Sequence, residues 1–174
     1  IPFKGYAISL GFRAGETTQG LGSIAIGYKA GITNQDILSV AIGVSAGSID
    51  QSENSIAIGH NAGNDKQSYG SIALGYQSGK ESQGEKSIAI GTYSGSTSQG
   101  EKSIAIGRQA GYQNQSSYSV AIGSYTGEIS QNEYSLAIGF GSGQKYQQNN
   151  SIAVGKNAGY QNQNSYSVAI GNEA

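Results

Sequence analysis

The chain contains no cysteine, methionine or tryptophan, and it has one proline and one histidine, His60, among its 174 residues. Without cysteine there can be no disulfide framework and no cysteine-ligated metal, and a single histidine excludes zinc sites built from several histidines. Charged residues make up only 12% of the chain and the formal net charge is −1, so no basic surface for nucleic acid is expected. No apolar run approaches the ~18 residues of a membrane-spanning helix. We therefore expect no cofactor, no metal, no nucleic-acid partner and no membrane insertion by this segment.

What the sequence does contain is a 16-residue unit, repeated without insertion or deletion. The string Ser-Ile-Ala-Ile-Gly, or a close variant, begins at residue 7 and at every sixteenth residue up to 167. We number the positions of each unit from the first residue of that string. Position 1 is Ser and position 3 is Ala, with one exception each, and positions 2 and 4 are Ile, Val or Leu. Positions 5 and 9 are Gly and position 13 is Gln in every unit that contains them. A fixed short period is typical of a solenoid. We predict a lead-in over residues 1–6 and one solenoid over residues 7–174, with ten full coils and a partial eleventh, and we expect the chain to be a segment of a longer protein because it does not begin with Met.

Positions 1–5 alternate small and large residues, which is the period-2 pattern of a short β-strand. We predict that equivalent strands stack in parallel, with the aliphatic residues of positions 2 and 4 inside the coil. The other face would then be a flat stripe of Ser, Ala and Gly, and so regular a stripe of small residues indicates that sister subunits pack against it with closed symmetry. The predicted subunit interface is the alanine of position 3: Ala25, Ala41, Ala57, Ala73, Ala89, Ala105, Ala121, Ala137, Ala153 and Ala169.

The glutamine of position 13 has two interpretations. In the first, an internal amide ladder, stacked glutamine side chains bond one another along the axis and satisfy backbone groups at the turn. In the second, the glutamines form a linear array that grips a repeating ligand. The internal ladder is the prediction, because an invariant residue between variable neighbours indicates a packing requirement. Its members are Gln19, Gln35, Gln51, Gln67, Gln83, Gln99, Gln115, Gln131, Gln147 and Gln163.

The strings SIAIGHNAG (55–63), SVAIGSYTG (119–127) and SIAVGKNAG (151–159) resemble the YadA-like head repeats of trimeric autotransporter adhesins, and similar strings occur in phage and viral fibre proteins. The resemblance covers residues 7–174. It implies a left-handed parallel β-roll in which three chains pack about a common axis, with the position 3 alanine facing the neighbouring rolls. The repeat of that family is shorter than 16 residues, and the Gly of position 9 and the Gln of position 13 are not part of its strand motif, so ligand-binding residues are not carried over.

No constellation for catalysis is evident. The carboxylates do not form a consistent pair along the repeat, and His60 falls at a variable position, so we predict an exposed His and no enzyme. The twelve Tyr are the remaining feature, because surface aromatics either cover a thin roll or contact a sugar or partner protein. The candidate surface ligand contacts are Tyr112, Tyr118, Tyr134, Tyr160 and Tyr166.

Three functional hypotheses follow. The leading one is a rigid extracellular segment of a trimeric adhesin head or virus fibre, located on a cell surface or virion, that attaches to a host receptor or glycan by many weak contacts. The second is a purely structural fibre shaft with binding elsewhere. The third is an ice-binding solenoid, which rests on the regular Ser/Ala/Gly stripe alone.

Overall fold

The structure, a computed structural model, describes residues 6–174. Residues 1–5 of the predicted lead-in lie outside that range. The described residues form nineteen short strands and no helix. In chain order the strands are β1 (Ile8–Leu10), β2 (Ile24–Ile26), β3 (Thr33–Gln35), β4 (Val40–Ile42), β5 (Ile49–Gln51), β6 (Ile56–Ile58), β7 (Asp65–Gln67), β8 (Ile72–Leu74), β9 (Glu81–Gln83), β10 (Ile88–Ile90), β11 (Thr97–Gln99), β12 (Ile104–Ile106), β13 (Gln113–Gln115), β14 (Val120–Ile122), β15 (Ile129–Gln131), β16 (Leu136–Ile138), β17 (Lys145–Gln147), β18 (Ile152–Val154) and β19 (Val168–Ile170).

The strands form two parallel sheets, and the pairing register confirms the 16-residue coil. The first sheet has eleven strands in the order β1-β2-β4-β6-β8-β10-β12-β14-β16-β18-β19, and the second has eight, from β3 to β17. Each paired strand residue lies opposite the one sixteen positions further along, as Ala25 does with Ala41 and Gln35 with Gln51. The predicted all-β parallel β-solenoid is therefore confirmed. Its left-handedness remains an expectation from the resemblance.

Two tight corners join the strands of each coil, and their backbone explains the invariant glycines. The Gly at position 5 has φ between +125° and +133°, a region that side chains rarely adopt. A Cβ at position 5 would also lie 2.1–2.7 Å from the backbone oxygen of the same Gly in the next coil. Glycine at this position therefore allows successive coils to stack at strand spacing.

The interior of the coil is the reverse of the predicted one. The alanines of position 3 from Ala25 to Ala153 are 0% exposed in the single chain, as are the serines of position 1 from Ser23 to Ser119. The aliphatic residues of positions 2 and 4 point outward instead and are half-buried or exposed, as Ile58 is at 38%. The predicted aliphatic ladder inside the coil is therefore wrong.

This inversion also overturns the predicted alanine interface. A side chain that its own coil encloses cannot contact a sister subunit, so Ala25, Ala41, Ala57, Ala73, Ala89, Ala105, Ala121, Ala137 and Ala153 do not form the subunit contact. Ala169, in the last strand, is half-buried but points to the same side. The ice-binding hypothesis loses its basis for the same reason, because the Ser/Ala stripe lies inside the coil.

The aliphatic side chains point outward because the coil is too narrow to hold them. The amide of Gln99, on the second sheet, donates a hydrogen bond to the backbone oxygen of Ile88 on the first sheet at 2.8 Å, so one glutamine side chain spans the interior. A Cβ placed on Gly95 would lie 3.2 Å from the Cβ of Ala89 and 2.5 Å from Oε1 of Gln99. The interior is already filled at that point, and an isoleucine side chain has no room there.

Candidate functional site

The outer face of the first sheet carries two continuous rows of aliphatic side chains, which we call the aliphatic face. Parallel strands in register place one Ile, Val or Leu above another at every coil, as Ile104 pairs with Val120 and Ile106 with Ile122. Eleven strands stacked at ~4.8 Å give a face roughly 48 Å long. The members are Ile8, Leu10, Ile24, Ile26, Val40, Ile42, Ile56, Ile58, Ile72, Leu74, Ile88, Ile90, Ile104, Ile106, Val120, Ile122, Leu136, Ile138, Ile152, Val154, Val168 and Ile170.

Positions 16 and 6 form the two long borders of the aliphatic face, and they carry aromatic rings in some coils and charged or polar side chains, such as Lys102 and Arg108, in others. Along one edge the rings of Tyr118 and Tyr134 stack with centroids 5.2 Å apart and planes inclined by 11°. Along the other edge the ring of His60 lies 5.2 Å from that of Tyr76, and Phe12 stacks on Tyr28 at 5.6 Å. In the coils that carry these rings, the borders widen the apolar surface of the first sheet.

The second sheet presents a mainly polar outer face. Positions 11 and 12 point to solvent while the glutamine of position 13 points inward. The outward pairs include Thr33 and Asn34, Asp65 and Lys66, Glu81 and Ser82, Thr97 and Ser98, and Gln113 and Asn114. The solenoid is therefore amphipathic, with one apolar side and one polar side. A monomeric soluble protein rarely exposes so long an apolar surface, and such a surface marks an interaction site.

The structure places the glutamines of position 13 inside the coil, but their main partners are backbone groups. From Gln35 to Gln163, each Nε2 donates to the backbone oxygen of position 2 in its own coil at 2.7–3.0 Å. A longer bond, 3.3–3.5 Å, runs to the oxygen of the next position 1. Within residues 6–174, a bond between successive glutamines is present only from Gln115 to Gln131, at 3.3 Å. The inward side chains and their bonds to backbone groups agree with the prediction, whereas the predicted bonds from each glutamine to the next are wrong except for that one pair. Burial excludes the alternative in which the glutamines grip an external ligand.

The five candidate tyrosines fall into two groups. Tyr118, Tyr134 and Tyr166 are at position 16, beside the aliphatic face, and are exposed by 42%, 56% and 81%. Tyr112 and Tyr160 are at position 10, on the corner between the two sheets, where Tyr160 is exposed and Tyr112 is half-buried. The structure therefore does not gather them into one site.

Charged side chains form short exposed pairs on the position 16 border. Lys102 hydrogen-bonds to the carboxylate of Glu101 and to the hydroxyl of Tyr118, and these bonds raise the pKa of Lys102. The hydrogen bond from Lys86 lowers the pKa of Glu85. Exposed pairs of this kind contribute little to stability. In the part of the chain that the structure describes, no group of three or more His, Cys, Asp or Glu side chains could hold a metal ion, and no helix could cross a membrane.

Comparison with known proteins gives one match. The YadA head domain repeat matches residues 51–62 and 82–110, in two copies. The first stretch runs from the end of β5 to the corner after β6, and the second from β9 to the corner after β12, so both lie within the stacked coils. Searches among curated proteins and among solved structures found no match.

Proposed function

We propose that this chain, which carries YadA-like head repeats, is an extracellular attachment rod of the adhesin-head type and that it assembles as a parallel homotrimer through the aliphatic face. The observation that supports the assembly is the aliphatic face itself. The coil interior is filled by Ala, Ser and Gln, so the large apolar side chains of the sequence are left for an outside partner. A second and third copy of the same chain present the same face at the same 16-residue spacing.

The free energy available is large enough for stable assembly. Ile58 and Ile122 keep 38% and 36% of their surface exposed in the single chain, and covering that remainder contributes on the order of 1 kcal/mol per side chain. Most other members are less exposed than these two, so two residues in each of ten coils give roughly 10–20 kcal/mol per chain, which is comparable to or larger than the ~4–15 kcal/mol that association costs. Three copies about one axis would cover all three faces and leave the polar sheets outward, which is the closed arrangement that symmetry favours.

Mass in solution tests the assembly. Native mass spectrometry or light scattering should give a species of about 54 kDa, three times the 17.9 kDa of one chain. Replacing Ile90 and Ile106 together by Asp should give monomers, because two buried charges per chain would face the same charges on both sister chains. The matched control replaces Thr97 and Gln113, on the second sheet, by Asp, and it should keep the trimer. A stable monomer of the unaltered chain would overturn the proposal.

Attachment would follow from geometry. A straight stack of coils presents the same variable positions at many heights, and three chains multiply each contact, so weak contacts combine into avid binding. Tyr112, Tyr118, Tyr134, Tyr160 and Tyr166 are the proposed contacts, with a host glycan or protein as the partner. Replacing all five by Ser should abolish binding of the trimer to receptor-bearing cells. If binding is unchanged while deletion of three whole coils only shortens the rod, the chain is a structural shaft and binding lies elsewhere.

A further inference from the structure

A notch interrupts the surface of the eighth to tenth coils, and its origin is one glycine. Position 7 lies at the corner after the first sheet, and across the other units it carries side chains such as Asn61, Tyr125 and Asn157. At residue 141 it is Gly, so the row of side chains has a gap. The gap opens a cavity of about 320 Å³, lined by Tyr125, Phe140, Gly141, Gln144, Asn157 and Tyr160.

Aromatic rings form the walls of the notch. The rings of Tyr125 and Phe140 lie 5.8 Å apart and meet at 77°, and Cε2 of Tyr160 is 3.9 Å from where a Cβ of Gly141 would be. The guanidinium carbon of Arg108 lies 4.5 Å from the centre of the Tyr125 ring, which holds that ring in place from the preceding coil. The walls are therefore fixed by neighbours and not by a ligand.

The polar groups of the notch are side-chain amides. Nε2 of Gln144 donates to a carboxylate oxygen of Glu128. A carboxylate only accepts hydrogen bonds, so Oε1 of Gln144 must point away from it. That Oε1 is enclosed and has no hydrogen-bond partner, and an unpaired acceptor of this kind carries a desolvation cost. Oδ1 of Asn157 lies 2.5 Å from the missing Cβ of Gly141, so a second amide borders the gap.

We infer that this notch binds one ring of a neutral sugar. A pyranose has one face of C–H groups, which stack on the electron-rich face of an aromatic ring, and an edge of hydroxyl groups, which both donate to and accept from amides. A hydroxyl beside Gln144 can bond its unpaired oxygen after a small rotation of the amide. All six lining residues are uncharged, which favours a neutral ligand over an acidic one. The volume is at the lower end of ligand pockets, roughly 300–1,000 Å³, so it suits one ring and not a chain of sugars.

This inference rests on the proposed attachment function but not on the trimer, because a single chain provides every lining residue. Five of the six residues lie at positions 7 and 10, on the corner beyond the aliphatic face, and the sixth, Phe140, lies on the border at position 6. The notch would therefore stay open beside the contact between chains in the assembled rod. One site per chain gives three per trimer. A single ring would bind with a dissociation constant on the order of 1 mM or weaker, and three sites on one rod would raise the avidity for a branched glycan.

The test compares variants that alter the notch with matched variants that make a similar substitution in a coil without a notch. Gly141→Asn restores the residue type that Asn61 and Asn157 supply at this position, with φ of 54° and 53° against 64° at Gly141, so the backbone tolerates it. The new side chain would displace only the flexible end of Asn157. Ser45→Asn makes the same side chain at the same position in a coil without the notch. Tyr160→Ala removes one wall, and Tyr28→Ala removes an exposed ring elsewhere.

Saturation-transfer NMR with methyl β-D-galactopyranoside, methyl β-D-glucopyranoside and methyl α-D-mannopyranoside is the measurement, with methyl β-D-glucuronide as the charged probe. We expect transfer from the chain to at least one neutral glycoside, unchanged in Ser45→Asn and Tyr28→Ala and at least tenfold weaker in Gly141→Asn and Tyr160→Ala. Transfer to none of the neutral probes, or equal transfer in Gly141→Asn, would overturn the inference. Circular dichroism and mass of each variant show whether it folds and assembles, so failure of the notch is distinguished from failure of the trimer.

Discussion

Two substitutions at neighbouring residues on β10, one that enlarges a side chain and one that shortens a side chain, test which residue points into the coil. Ala89 is 0% exposed and Ile90, the next residue, is half-buried on the aliphatic face. Ala89→Ile adds three carbons to a filled interior, whereas Ile90→Ala removes three carbons from a surface that the single chain leaves partly open. If the aliphatic residues were inside, the order of the two effects would be reversed.

The magnitudes follow from the space around each residue. The Cβ of Ala89 lies only 3.2 Å from the position a Cβ of Gly95 would take, so Ala89→Ile must push the two sheets apart and we expect a loss of about 3 kcal/mol or more in the free energy of unfolding. A fully buried Ile→Ala costs ~2–5 kcal/mol. The exposed part of Ile90 reduces that cost to about 1–2 kcal/mol for an isolated chain, and only a trimer that covers the face would restore the full cost.

Chemical denaturation at several fixed protein concentrations is the assay, because an oligomer gains stability as its concentration rises. Ala89→Ile should lose stability at every concentration, and Ile90→Ala should lose more at concentrations where the trimer forms. Glu81→Ile is the matched control, since Ile49 and Ile129 occupy that position in other units, and it should change little. A variant Ala89→Ile that is more stable than Ile90→Ala at low concentration would refute the inward orientation of the alanines.

Three further outcomes are expected. Gln99→Leu should cost about 1–3 kcal/mol in denaturation, because the buried backbone oxygen of Ile88 loses the bond that Gln99 donates and the oxygen of Ser103 loses its second, longer bond while it keeps the bond from the backbone N–H of Ile88. Gln113→Leu on the exposed face should cost little. Leu38→Asn should raise stability by up to ~1 kcal/mol, because Leu38 has φ of 54°, a left-handed conformation that Asn adopts more easily, and Leu38→Thr at the same site should lower it. Glu101→Gln should lower the pKa of Lys102, measured by NMR titration, because the carboxylate that raises it is gone. A raised lysine pKa stabilises the folded state below the unfolded pKa, and this stabilisation is lost as the pH rises through the folded pKa. At pH 7 the substitution is therefore destabilising in sign, but for so exposed a pair it should not shift the denaturation midpoint measurably.

The coil length and the parallel register could be predicted from the sequence because both are properties of spacing. An uninterrupted period of sixteen leaves one way to stack equivalent strands, and Gly at position 5 is required wherever one coil approaches the next this closely. The notch could not be predicted in the same way. It depends on which side chains flank Gly141 in adjacent coils and on the direction of the Gln144 amide, and neither is visible in a single unit. A comparison of position 7 across the units does show that a side chain is missing at residue 141.

The inward and outward faces of the first-sheet strands are the reverse of the predicted ones, and the reason is general. Alternation of small and large residues shows that the two faces of a strand differ, but it does not show which face is inside. Which face is inside is indicated by how far the residue type at each position varies from one unit to the next. Positions 2 and 4 interchange Ile, Val and Leu, as Val154 and Leu74 show, whereas positions 3 and 13 keep Ala and Gln almost without exception. A closed interior one glutamine wide has no tolerance for a change of shape, whereas an outward face that the single chain leaves partly exposed can accept any aliphatic side chain. In a solenoid this thin, the positions that hold one residue type are therefore the interior, and the aliphatic positions that vary are the outward face of the first sheet.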